Sequence, residues 1–242
     1  MNFSDRRIAA MHENIYTIPI NEAFEEPCGC PLCRLEAKLR ADALEYVMGA
    51  AMMEPDVRIE TNRQGFCREH LSAMLAMKNR LGLSLILQTH LEEVRKKGLP
   101  KGGLLGKPDC ASAAKTLHKT ADSCFVCRRV AEFMEHYYSN LLHMWEASDE
   151  FRMKFDNAEY ICLHHLTKLT ERAAGALGKK RQPEFVDKAV GLAAKHLDSL
   201  QADVDTFCKS FEYQNAGKPL SDNEKHAAER VADALCGISF AE

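Results

Sequence analysis

Apolar residues fall at Leu32, Leu35, Leu39, Ala43, Val47 and Ala50, three or four positions apart. That spacing predicts a helix over residues 31–51, with Pro31 in its first turn and Cys30 as N-cap. Pro55 ends it or follows its end, and the polar stretch 56–65 reads as a connection broken by Gly65. Leu71, Met74, Leu75, Leu81, Leu85, Ile86 and Val94 predict a second helix over 68–97. Arg95, Lys96 and Lys97 sit at its C-terminal end, where the helix dipole favours cations. A third helix is expected over 124–147, with Phe133, Tyr137, Tyr138 and Trp145 as core residues. A homodimer seam is the alternative use of that aromatic face. A short helix or turn follows over 148–157, then helices over 160–177, 183–213 and 221–235. Ser221 with Glu224 forms a capping box for the last, and Gly237 is its C′ residue.

The remaining stretches read as connections. Residues 4–14 can form a short helix. Residues 15–20 are β-branched and contain Pro19, so they are expected to be extended. Asn21 then caps a turn through 22–25. Residues 98–109 hold four glycines and two prolines and read as a linker. Within it, the run from Gly102 to Lys107 resembles a phosphate loop. Pro108 stands where that loop needs Ser or Thr, and a helix precedes it in place of a strand, so a connector is the reading adopted. The basic run 178–183 reads as a solvated helix end. No hairpin or βαβ pattern appears, so the fold class is all-α. The expected organisation is a lead-in (1–29), a first helical segment (30–97), a linker (98–123) and a second segment with the C-terminal helices (124–242), packed as one compact domain.

Composition narrows the function. Hydrophobic residues make up 46% of the chain, enough to form a core without metal. The net charge is −3 with Lys and Arg spread along the sequence, which argues against a nucleic-acid surface. The N-terminus lacks an apolar signal region, and the longest apolar run, near 81–87, is too short to span a bilayer. The expectation is a soluble, cytoplasmic protein whose ten cysteines are reduced.

The cysteines carry the chemistry. Cys30-Pro-Leu-Cys33 is followed by Cys67-Arg-Glu-His70, and Cys124-Phe-Val-Cys127 by Cys162-Leu-His-His165. Each half thus reads C-x2-C, a spacer of nearly equal length, then C-x2-H. Arg34 matches Arg128, Ala37 matches Ala131, and Arg58 matches Arg152, so an internal duplication of two helical hairpins is expected. In a first helical turn, residues three apart share a face. Each pair therefore offers two ligands in one direction, and the helix N-terminus favours the thiolate that binds metal. Three thiolates and one imidazole suit structural zinc. A [4Fe–4S] cluster held by three cysteines and a histidine is the alternative. The eight candidate ligands are Cys30, Cys33, Cys67, His70, Cys124, Cys127, Cys162 and His165. They could form two sites within the halves, two sites across them, or one binuclear site. Cys28 competes with Cys30, although Asp122 stands opposite it in the second half. His164 lies off the ligand face. Cys110 has no assigned role, and Cys208 and Cys236 are expected to be small core residues.

Beyond the ligands, the segments Ile15–Phe24, Cys30–Cys33, Met53–Arg58, Gly65-Phe66-Cys67 with His70, and Cys124–Cys127 resemble an uncharacterised bacterial family, domain of unknown function 6062. The likeness covers residues from about 15 to 200. It implies the paired Cys/His pattern and no established activity.

Three functions follow. The first is a zinc-braced helical scaffold that binds a protein partner. The second is an iron–sulfur redox or sensor protein. The third is a zinc enzyme, for which Glu69 is the sole candidate acid or base and a solvated helix-start carboxylate the plainer reading. The absence of H-E-x-x-H, a Ser/His/Asp order or a dinucleotide fingerprint leaves no catalytic residue to name.

Overall fold

A computed structural model describes residues 15–25, 29–101, 106, 109–215 and 217–237. The expected helix over 4–14, Cys28 and most of the glycine-rich run 102–108 lie outside these residues. Among the described residues there are twelve α-helices and no strand. The chain divides into two compact units. One takes the described residues up to Glu36 and from Met134 onward, the other Ala37–Phe133. The divisions fall inside two helices, α2 (Pro31–Met48) and α7 (Phe125–Ala147).

In the first unit, α1 (residues 15–25) is helical where an extended segment was expected. Its buried residues explain the difference. Tyr16, Ile20, Ala23 and Phe24 recur at helical spacing and are all buried. Tyr16 meets Tyr137 edge-on, and Phe24 packs on Phe151 and Phe155. Burying that stripe outweighs the modest β preference of Ile, Tyr and Thr. The core continues through α8 (Asp149–Asp156), α9 (Leu163–Ala176) and α10 (Gln182–Lys209). Trp145 and Phe155 both pack against Phe185. Phe24, Trp145, Phe155 and Phe185 together represent burial on the order of 10 kcal/mol before chain entropy is counted. The predicted last helix is two pieces, α11 (Asp222–Lys225) and α12 (Ala227–Cys236), broken at His226. The Ser221–Glu224 capping box is present, and Gly237 closes α12 in the left-handed conformation.

In the second unit, Pro55 follows the end of α2 at Met48 and itself begins a helix: α3 (Pro55–Gln64) occupies the stretch expected to be a polar connection. Proline is suited to that first position because its missing N–H is not needed there. The single helix expected over 68–97 is divided into α4 (Arg68–Ala76) and α5 (Arg80–Glu93). Lys78 takes a positive φ at the break, and the Asn79 side chain caps α5 by accepting from Gly82 N–H. A π-helical turn, Val94–Gly98, follows. Residues 110–121, left in the connector by the sequence pattern, form α6 (Cys110–Ala121), capped by Asp109.

Candidate metal centres

Each candidate ligand pair sits where a helix begins. Cys30 precedes α2, with Cys33 in its first turn, and Cys124 and Cys127 hold the same places at α7. Cys67 and Cys162 are the N-caps of α4 and α9, and His70 and His165 follow one turn in. The caps use sulfur directly: Cys162 Sγ accepts from His165 N–H, and Cys124 Sγ from Cys127 N–H, each at 3.5 Å.

The eight residues come together as two groups of four, each drawing one pair from either half of the sequence. Cys30 and Cys33 meet Cys162 and His165 in the first unit. Cys67 and His70 meet Cys124 and Cys127 in the second. In each group the four donor atoms lie within 4.8 Å of one another. In the first centre, His165 Nδ1 is 3.8 Å from Cys30 Sγ, 3.3 Å from Cys33 Sγ and 3.2 Å from Cys162 Sγ. Cys33 and Cys162 sulfurs are 3.5 Å apart. In the second, His70 Nδ1 is 3.0 Å from Cys67 Sγ and 3.4 Å from both Cys124 and Cys127. Cys67 and Cys127 sulfurs are 3.8 Å apart. Around one tetrahedral zinc, sulfurs stand about 3.8 Å apart, and sulfur and nitrogen about 3.6 Å. The donor sets fit that geometry, and each could hold a metal ion.

Electrostatics point the same way. In the first centre, burial opposes ionisation of Cys30, but hydrogen bonds from Cys162, Cys33 and His165 hold its thiol well below the usual range. The same neighbours, Cys162 first and then Cys30, push the Cys33 thiol far up. Burial works against a charged His165, yet hydrogen bonds to Cys162, Cys30 and Glu36 raise it to about 11. In the second centre, burial and then Cys124 push Cys127 up to about 12, and burial lowers His70. Three sulfurs this close cannot all ionise without a cation among them; a divalent ion supplies that charge.

The surroundings of the centres differ. Glu36 Oε2 lies 3.3 Å from His165 Nε2, within ion-pair reach. His70 Nε2 is buried like that of His165, but no ion-pair partner stands beside it among the described residues. The first centre is also covered by Gly237. A Cβ there would come 3.2 Å from both Cys33 Sγ and Cys162 Sγ. The second is set by the docking of the Gly65–Cys67 segment on the start of α7. Phe125 N–H donates to Gly65 O at 2.9 Å, and Ser123 Oγ to Gln64 O at 2.6 Å. Arg128 Nε binds Gln64 Oε1 at 2.6 Å. Gly65 has a positive φ, and a side chain there would strike the His90 ring.

The sequence pattern missed two participants. Glu36 lies three residues past Cys33, on the same helical face, and that spacing could have marked it. Gly237 was readable only as a helix stop. Among the other candidates, Glu69 is exposed, 4.0 Å from Arg40. His164 is exposed and stands edge-on to the His165 ring. Cys208 and Cys236 are exposed, contrary to the expected core placement, because they face outward from α10 and the end of α12. Cys110 is exposed at the start of α6.

Fold and centres together define an all-helical protein with two three-cysteine, one-histidine clusters. Residues 11–242 match a family model described as a Family of unknown function (DUF6062), and the chain belongs to that family. No curated protein and no solved structure matches it. No helix among the described residues is long and apolar enough to cross a membrane.

Proposed function

We propose that the protein is a non-enzymatic zinc protein in which two tetrahedral ions brace the helices and the braced surface binds a protein partner. The observation that carries the metal reading is the spacing of the donor atoms, all within 4.8 Å in each centre. That separation suits four bonds to one ion. In a [4Fe–4S] cluster each donor binds a different iron at a corner of a cube, and the donors stand about 6 Å apart, so the iron–sulfur alternative is disfavoured. Zinc is the ion preferred by three thiolates and an imidazole in tetrahedral array. Four protein donors leave no open position for substrate or water, which argues against a zinc enzyme. Met53, Ile59 and Leu81 are exposed on the second unit, and a protein partner would cover them.

Elemental analysis and an absorption spectrum of protein purified without oxygen test the reading. About two zinc ions per chain and a colourless solution are expected. Iron with sulfide and a band at about 400 nm would replace it with redox chemistry.

A further inference from the structure

The two centres meet solvent differently, and the difference assigns a chemical role to one of them. In the first, Cys30, Cys162 and His165 are buried. The backbone of Gly237 lies directly on the remaining approach, since even a Cβ there would press on Cys33 and Cys162 sulfurs. In the second, Cys127 is exposed. Cys127 and Cys124 line a cavity of about 470 Å³ shared with Arg63, Lys119, Asp122 and Arg128, wide enough to admit a small oxidant to the Cys127 sulfur. Cys67 Sγ stands 3.8 Å from Cys127 Sγ inside the same centre.

We propose that Cys127 is a thiol-modification site that reacts with hydrogen peroxide and closes a disulfide with Cys67, releasing the metal of the second centre while the first stays loaded. This rests on the zinc reading above. The Cys127 thiolate attacks one peroxide oxygen. The O–O bond breaks, sulfur keeps the hydroxyl as a sulfenic acid, and hydroxide leaves to be protonated to water. The Cys67 thiolate then attacks that sulfur. An S–S bond forms and a second hydroxide leaves. Two electrons have passed from the two sulfurs to the peroxide, and zinc, stripped of two of its four ligands, dissociates.

The test uses the full chain. Zinc per chain is first measured on protein purified anaerobically. Peroxide is then added in the presence of a chromophoric zinc chelator, and disulfides are mapped by peptide mass spectrometry. The expected result is two release phases of one zinc each, the first about tenfold faster, with the Cys67–Cys127 disulfide appearing alongside it. Fewer than one zinc per chain before oxidation would overturn the metal reading and this inference together. Two zinc ions released in a single phase, or a Cys33–Cys162 disulfide first, would overturn the inference alone. A Cys124–Cys127 bridge would remove Cys67 as the partner. Peptide-resolved alkylation of the loaded wild-type chain by iodoacetamide gives a second readout that needs no variant. Among the eight ligands Cys127 is labelled first; equal labelling of Cys33 overturns the assignment.

Discussion

Gly237 answers two demands at one residue. Its φ of 69° lies in the left-handed region, and its missing Cβ leaves room for the sulfurs of Cys33 and Cys162. A Gly237→Ala chain carries a backbone cost of about 1–2 kcal/mol and a methyl pressed onto two ligands. We expect it to retain one zinc per chain in place of two, read by elemental analysis, with the second centre intact. Glu36 acts from outside the donor set. A carboxylate beside the distal nitrogen of a ligating histidine orients the ring and strengthens its donor nitrogen, so Glu36→Gln should weaken the first centre by about 10–100-fold. A competitive zinc titration measures it, and the second centre, whose His70 lacks such a carboxylate, should be unchanged. Cys67→Ser should remove one zinc, whereas Cys208→Ala, a change on the exposed side of α10, should leave the content untouched. Retention of both ions by Cys67→Ser would exclude it as a ligand.

At the scale of elements, the helices are set by local signals that the hydrophobic pattern alone blurs. Asn79 both caps α5 and donates from Nδ2 to Met48 O at 3.2 Å. Asn79→Ala should therefore cost about 1–2 kcal/mol, measured by urea unfolding. The pattern of Leu and Met residues carries through this break because α4 and α5 each bury a stripe, so periodicity suggested one helix where there are two. The start of α3 was hidden for a related reason: Pro55 stops one helix and opens another equally well. Between α7 and α9, Arg172 holds Glu135, with Nε 2.6 Å from Oε2, and lies over the Tyr138 ring. Arg172 keeps the Glu135 carboxyl below its usual range. A depressed carboxyl stabilises the fold above its unfolded pKa and loses that contribution as pH falls through the lowered value. Glu135→Gln should thus destabilise the protein slightly at pH 7, by less than about 1 kcal/mol for so exposed a pair, and the difference should shrink as pH falls through the lowered value, read by urea unfolding across an acid pH series.

For the whole molecule, each centre ties together segments far apart in sequence: 129 residues separate Cys33 from Cys162, and 60 separate Cys67 from Cys127. The difference in loop-closure entropy is only about 0.7 kcal/mol. Burial therefore decides which centre matters more for stability. Cys162 is 1% exposed and Cys127 lies open to solvent, so Cys162→Ser should lower Tm more than Cys127→Ser. Chelation of both ions should lower Tm while leaving most of the far-ultraviolet helical signal, because the aromatic core around Phe185 and Trp145 does not depend on metal. The sequence by itself determined the helical class and the eight candidate ligands. Both are written in local spacing: apolar positions three or four apart, and donors three apart at helix starts. It also held the capping box at Ser221 and the stop at Gly237. Only the tertiary structure decided which pairs meet, since C-x2-C carries no information about a partner 54 residues away in one centre and 135 in the other. The same holds for α1. Its β-branched residues favour an extended chain, and its helix exists because Phe151, Phe155 and Tyr137 offer a surface on which a helical stripe can be buried. The cover that Gly237 places over one centre, and the cavity that opens on the other, follow from packing in the same way.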